Sequence, residues 1–112
     1  EIEKNYQKLI IAHKKAISQL KPGLSISKLI EIYKKEITLQ GLPAETLNLN
    51  DLGHSIGFYI HENPIFYLQG EGEIKLEENM IITLEPEIRV ENHKIRVEDM
   101  ILIKENSEIL TS

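Results

Sequence analysis

The feature that most constrains this chain is a change of period at Pro43. Before it, apolar residues recur at three- and four-residue steps. After it, they fall in short alternating runs. Ile2, Tyr6, Leu9, Ile10, His13, Ala16, Ile17 and Leu20 predict one buried stripe on a helix over roughly residues 2–20. Lys21-Pro22-Gly23 stops that helix, because proline cannot continue the ladder and biases the residue before it away from helix. Ser25 is the expected N-cap of a second helix, to about residue 40, with Leu24 and Leu29 as a hydrophobic staple. Leu29, Ile30, Tyr33 and Ile37 form its apolar face, Gly41 suits its C-terminal cap and Pro43 blocks extension. Strands are expected at Gly57–His61, Met80–Leu84, Ile88–Val90, Lys94–Val97, Met100–Ile103 and Glu108–Leu110. Glu91-Asn92-His93 predicts a hairpin turn and Gln69-Gly70-Glu71-Gly72 a loop. Helices first and antiparallel strands afterwards predict an α+β arrangement, with two helices packed on one face of a sheet.

With 112 residues, 41% of them hydrophobic, the chain is at most one domain and can bury a core. A net charge of -5, with the basic residues dispersed, argues against a nucleic-acid partner. No apolar run approaches a membrane span. The absence of cysteine excludes disulfides and thiolate metal sites and fits a cytoplasmic location. The chain opens on Glu1 and directly in a helical pattern, which predicts a piece of a longer protein.

Five residues could carry chemistry. His54 lies between Gly53 and Gly57, where the backbone can approach a neighbour closely. His61 is seven residues on. An unbroken strand would send residues at that odd spacing to opposite faces, so a shared site requires a bend or bulge, with Gly57 the expected place. On spacing alone, one structural and one surface histidine is the favoured reading. Glu85 ends an apolar run, a costly position unless it is exposed, paired or metal-bound. Arg96 and Glu98, two apart, share a face of an extended strand as either a functional cluster or a cross-strand ion pair, and Asp99 alternates away as a structural residue. Imidazole and carboxylate donors without thiolate suit Mn²⁺, Fe²⁺, Co²⁺ or Zn²⁺.

The same residues carry a family resemblance across essentially the whole chain. Gly53-His54-Ser55-Ile56-Gly57, Ile60-His61-Glu62-Asn63-Pro64, Leu84-Glu85-Pro86 and Arg96-Val97-Glu98-Asp99, in that order behind two helices, resemble the C-terminal half of the creatinase, prolidase and methionine aminopeptidase superfamily, the pita-bread metallopeptidases. Residues 1–112 would then be the C-terminal portion of one catalytic domain, two helices on a curved antiparallel sheet. The resemblance implies that His54 and Glu85 bind one metal ion and that Glu98 bridges two, with manganese the expected metal. It implies that His61 stabilises developing charge, that Glu85 shuttles a proton and that Arg96 orients the site. The Arg96-x-Glu98-Asp99 form is similar to the Xaa-Pro aminopeptidase and prolidase branch. The implied reaction is hydrolysis of an Xaa-Pro bond by a metal-bound hydroxide, on a peptide with proline at its second position.

The resemblance also has departures. The family's two Asp ligands lie N-terminal to this region, so the chain alone is expected to be inactive and to pair with the missing half or with a second copy. Asn50 stands where the proline-directed branch often has His, and Ser55 and Glu87 stand where Gly is common. Two rivals follow: a non-catalytic peptide-binding module on the same fold, which those departures mildly favour and the retained His54, His61, Glu85 and Glu98 disfavour, and a methionine aminopeptidase, which Arg96 disfavours.

Overall fold

The computed structural model describes residues 2–48, 52–58, 66–68 and 75–111, with backbone alone at 54–58 and 66–68. Helix α1 spans Ile2–Ile17 and helix α2 spans Ile26–Leu39. A 3₁₀ turn follows at Ala44–Thr46, and then, among the described residues, eight strands: β1 Leu47–Asn48, β2 Gly53–Phe58, β3 Phe66–Leu68, β4 Met80–Leu84, β5 Glu87–Val90, β6 His93–Arg96, β7 Asp99–Leu102 and β8 Glu108–Ile109.

The capping signals act as expected. Ser25 Oγ accepts from the Lys28 N–H at 3.1 Å. At the other end Gly41, at φ 89°, donates to the Thr38 carbonyl, and Leu42 donates to the Ile37 carbonyl. That pair of bonds is a Schellman ending, and Leu42 and Ile37 are both buried beneath it. Helix α1 ends three residues sooner than its periodicity predicts. Gln19 and Leu20 donate to carbonyls three residues back, tightening the last turn before Lys21-Pro22. The predicted stripe is also only partly buried: Leu9, His13, Ala16, Ile17 and Leu20 are inside, whereas Ile2 and Tyr6 are 48% and 40% exposed.

The strands divide into two antiparallel sheets rather than one. The three-stranded sheet has the order β1-β5-β6 and the five-stranded sheet the order β3-β2-β4-β7-β8. The chain leaves one for the other between Leu84 and Glu87, at Pro86, which has no N–H to donate to a ladder. Val97 donates back to the Pro86 carbonyl at 3.3 Å. A single core joins both sheets to the helices, with Leu9, Ala16, Leu29, Tyr33 and Ile37 packed with Ile82, Leu84 and Ile101 of one sheet and Ile88 and Ile95 of the other. The α+β class therefore stands, with two small sheets beneath two helices.

Strand β2 starts four residues before the expected Gly57, and the remainder of the predicted run to His61 lies outside the described residues. β2 is an interior strand, paired with both β3 and β4. A Cβ at Gly53 would run into the Thr83 carbonyl, so close approach of two backbones demands glycine there. The expected irregularity is present: the β2–β4 register shifts between Ser55 and Gly57. The Glu91-Asn92 turn forms as predicted, with Val90 opposite His93 and Glu91 at φ 55°. The predicted Gln69–Gly72 loop lies outside the described residues.

Candidate metal centre

The strand register gathers the candidate residues at one end of the five-stranded sheet. Leu84, the last residue of β4, is opposite Gly53 of β2 on one side and Asp99 of β7 on the other. One pair inward, Thr83 is opposite both His54 and Met100. Glu85 follows directly, its N–H donating to the Leu52 carbonyl at 2.6 Å, and Glu98 directly precedes β7. The chain positions of His54, Glu85 and Glu98 therefore meet where three adjacent strands begin or end. The side chain of His54, and His61 and Asn50 entirely, lie outside the described residues. Among the described residues, no three His, Cys, Asp or Glu side chains form a cluster able to hold a metal ion.

Glu85 is half-buried. Its Oε2 accepts from Thr83 Oγ1 at 3.3 Å and its Oε1 from Arg96 Nη1 at 3.4 Å. Both bonds are at the long end of the hydrogen-bonding range, so neither holds the carboxylate strongly. As a donor set, such a carboxylate beside Glu98 and an imidazole at position 54 fits a divalent ion that prefers oxygen and nitrogen.

The sequence places Arg96 and Glu98 on one extended face, as a functional cluster or a cross-strand ion pair. In the structure β6 ends at Arg96, and residues 97–98 connect to β7 outside either strand. Arg96 instead lies opposite Glu87 in the β5–β6 ladder, and its Nη2 donates to Glu87 Oε1 at 2.7 Å. Glu87 Oε2 accepts from Arg89 Nε at 2.8 Å and from Asn48 Nδ2 at 3.2 Å. The sequence marks Glu87 only as a residue standing where Gly is common. Here it is a buried carboxylate enclosed by two guanidinium groups and an amide. Its pKa falls from 4.5 to about 2, chiefly through the Arg89 hydrogen bond, with Arg96 and Asn48 adding to it against the opposing effect of burial.

A folded-state pKa below the unfolded value means stability that is fully present above pH 4.5 and disappears as pH falls through about 2. Urea midpoints for wild type and Glu87→Gln should therefore differ near neutrality and converge as the pH drops through that window. Parallel midpoint curves would show that the carboxylate carries no such linkage.

The sequence missed a second group. His13, placed in the helical stripe for its spacing, is buried between the helices and β7. Its Nε2–H donates to Asp99 Oδ2 at 2.9 Å, which leaves Nδ1 to accept from the Tyr33 hydroxyl at 2.8 Å. Asp99 Oδ1 accepts in turn from Thr111 Oγ1 at 3.0 Å, and Thr111 Oγ1 accepts from the Met100 N–H at 2.8 Å. Burial lowers the His13 pKa below 6.5 and outweighs the pull of Asp99, so the ring is neutral, while burial raises the Tyr33 pKa well above 10. Asp99 is held by His13 and Thr111, and the network fixes the backbone immediately after Glu98. Glu98 itself is exposed on an open cleft of about 430 Å³, with Tyr6, Ile10 and Ile109 on its apolar side and Arg96, Asp99 and His13 also lining it. The only available signal for His13 was a polar residue inside an apolar stripe.

Residues 1–105 match the family model described as metallopeptidase family M24. The chain belongs to metallopeptidase family M24. Within that family it is 36% identical over 102 residues to the Xaa-Pro dipeptidase of Pyrococcus horikoshii, covering 90% of this chain and 28% of that protein. It is 33% identical over 89 residues to the methionine aminopeptidase of Borreliella burgdorferi, covering 74% and 33% of the two. The crystal structure of X-Pro aminopeptidase from Thermotoga maritima MSB8 superimposes with a TM-score of 0.78 at 29% identity, covering 100% of the M24 chain and 31% of that chain. The M24 chain thus spans about a third or less of the length of these relatives. No helix among its described residues is long and apolar enough to cross a membrane.

Proposed function

We propose that this chain is the C-terminal portion of a catalytic domain that hydrolyses Xaa-Pro peptide bonds, and that it contributes His54, Glu85 and Glu98 to a divalent metal centre. The observation that carries this reading is the meeting of β2, β4 and β7 at one end of a sheet, with those three positions at the junction. Mn²⁺ is the proposed metal, with Co²⁺, Zn²⁺ and Fe²⁺ compatible with the same donors. When bound, such an ion would polarise the peptide carbonyl and lower the pKa of water. Glu85 would accept and return a proton, His61 would donate a hydrogen bond to the developing negative charge, and Arg96 would help orient the site.

Three ligands do not make a dinuclear site. The 112-residue chain alone would be inactive, and the complete enzyme would take two Asp ligands from sequence outside it. The proposed substrate is a peptide with proline at its second position, the proposed location the cytoplasm, and the proposed partner the N-terminal half or a second copy of the chain. The methionine aminopeptidase relative keeps a second reading open, hydrolysis after an N-terminal methionine. Full-length protein should cleave an Xaa-Pro dipeptide, lose the activity in EDTA and regain it with Mn²⁺. Preference for a Met-Ala peptide would select the second reading, and metal-insensitive or absent hydrolysis would overturn both.

A further inference from the structure

Arg96 beside Glu85 poses a problem for any carboxylate that must receive a cation. A guanidinium free to turn pairs with a carboxylate through two parallel bonds, and those bonds would occupy the oxygens a metal ion needs. The distances run the other way. Arg96 Nη2 is 2.7 Å from Glu87 Oε1, whereas Nη1 is 3.4 Å from Glu85 Oε1. Glu87 lies directly opposite Arg96 in the ladder, is buried, and is itself held by Arg89 and Asn48. Its side chain has little freedom to yield, so Arg96 is tethered to the β5 side.

We propose that Glu87 is a positioning residue that anchors Arg96 on the β5 side, limits its hold on Glu85 to the long 3.4 Å contact, and so favours binding of a divalent cation by Glu85. The inference rests on the reading of Glu85 as a metal ligand. Geometry and charge give the same sign. Glu85 and Glu87 balance Arg89 and Arg96, so Glu87→Gln leaves an excess positive charge beside the site and also lets Arg96 tighten its 3.4 Å pair with Glu85 into a two-bond one. Both effects oppose cation binding. Removing Arg96 as well abolishes both.

The test is calorimetric titration of the full chain with Mn²⁺, for wild type, Glu87→Gln, Arg96→Gln, the double variant, and Glu85→Gln as control. Glu87→Gln should bind about tenfold more weakly, the usual scale for loss of a group that orients a ligand, and the double variant should return to the level of Arg96→Gln. Unchanged affinity in Glu87→Gln overturns the proposal. So does a double variant as weak as Glu87→Gln, which would make Glu87 merely structural. If Glu85→Gln binds as wild type does, the metal reading of Glu85 fails instead. The Arg96 side-chain N–H resonances, recorded without metal, decide the anchoring independently, even if wild type takes up no Mn²⁺. They shift in Glu87→Gln if Glu87 holds the guanidinium, and unmoved resonances overturn the proposal.

Discussion

Full-length protein carrying Glu98→Ala should lose about a thousandfold in kcat/KM on an Xaa-Pro dipeptide. A metal ion contributes several kcal/mol of charge stabilisation in the transition state, and each 1.36 kcal/mol is tenfold in rate. Glu98 is exposed on the cleft and, among the described residues, makes no hydrogen bond or ion pair. Its truncation should therefore leave stability within about 0.5 kcal/mol of wild type, as for other surface substitutions. Loss of activity at unchanged stability is the signature of a ligand. Activity that survives the substitution removes Glu98 from the centre, and with it the proposal for the site.

The largest stability effect is expected at His13. Replacing it with Leu fills similar space but leaves the Tyr33 hydroxyl and Asp99 Oδ2 without their shared partner. Leaving such groups unsatisfied costs about 1–3 kcal/mol each, so urea unfolding should show a loss of about 3 kcal/mol. Tyr33→Phe in the His13→Leu background should cost less than it does in wild type, because the hydroxyl has already lost its acceptor. The pH dependence has a definite sign. With its folded-state pKa held below 6.5, His13 binds its proton more readily in the unfolded chain, so stability falls as pH drops below 6.5. That slope should be absent in His13→Leu. Full additivity of the two substitutions would mean that the Tyr33–His13 bond is not a determinant of stability.

Most of the local structure was legible because its causes are local. Ser25, Gly41 and Glu91-Asn92 act within a few residues of themselves, through caps and turns that require particular side chains or dihedrals. The bulge near Gly57 was legible because two histidines seven apart raise the question of a broken alternation. The extent of the α1 stripe was not. Periodicity says which face of a helix is apolar, but not how far its neighbours reach, and the core begins only at Leu9. The close approach expected at Gly53 is made to the Thr83 backbone of another strand, but the sequence did not show that the strand itself begins there.

Order along the chain was enough to specify two capped helices, antiparallel strands after them, and the series His54, His61, Glu85, Arg96 and Glu98. Each of these depends on residues close in sequence or on their succession. The division into two sheets, the identity of Glu87 as the cross-strand partner of Arg96, and the burial of His13 between Tyr33 and Asp99 came only from tertiary structure. The bonded atoms in that network come from residues up to 86 apart in the chain. An ion pair or a buried hydrogen bond is selected by which backbones the core brings alongside one another. No window of sequence contains both partners, so nothing local marks them as a pair.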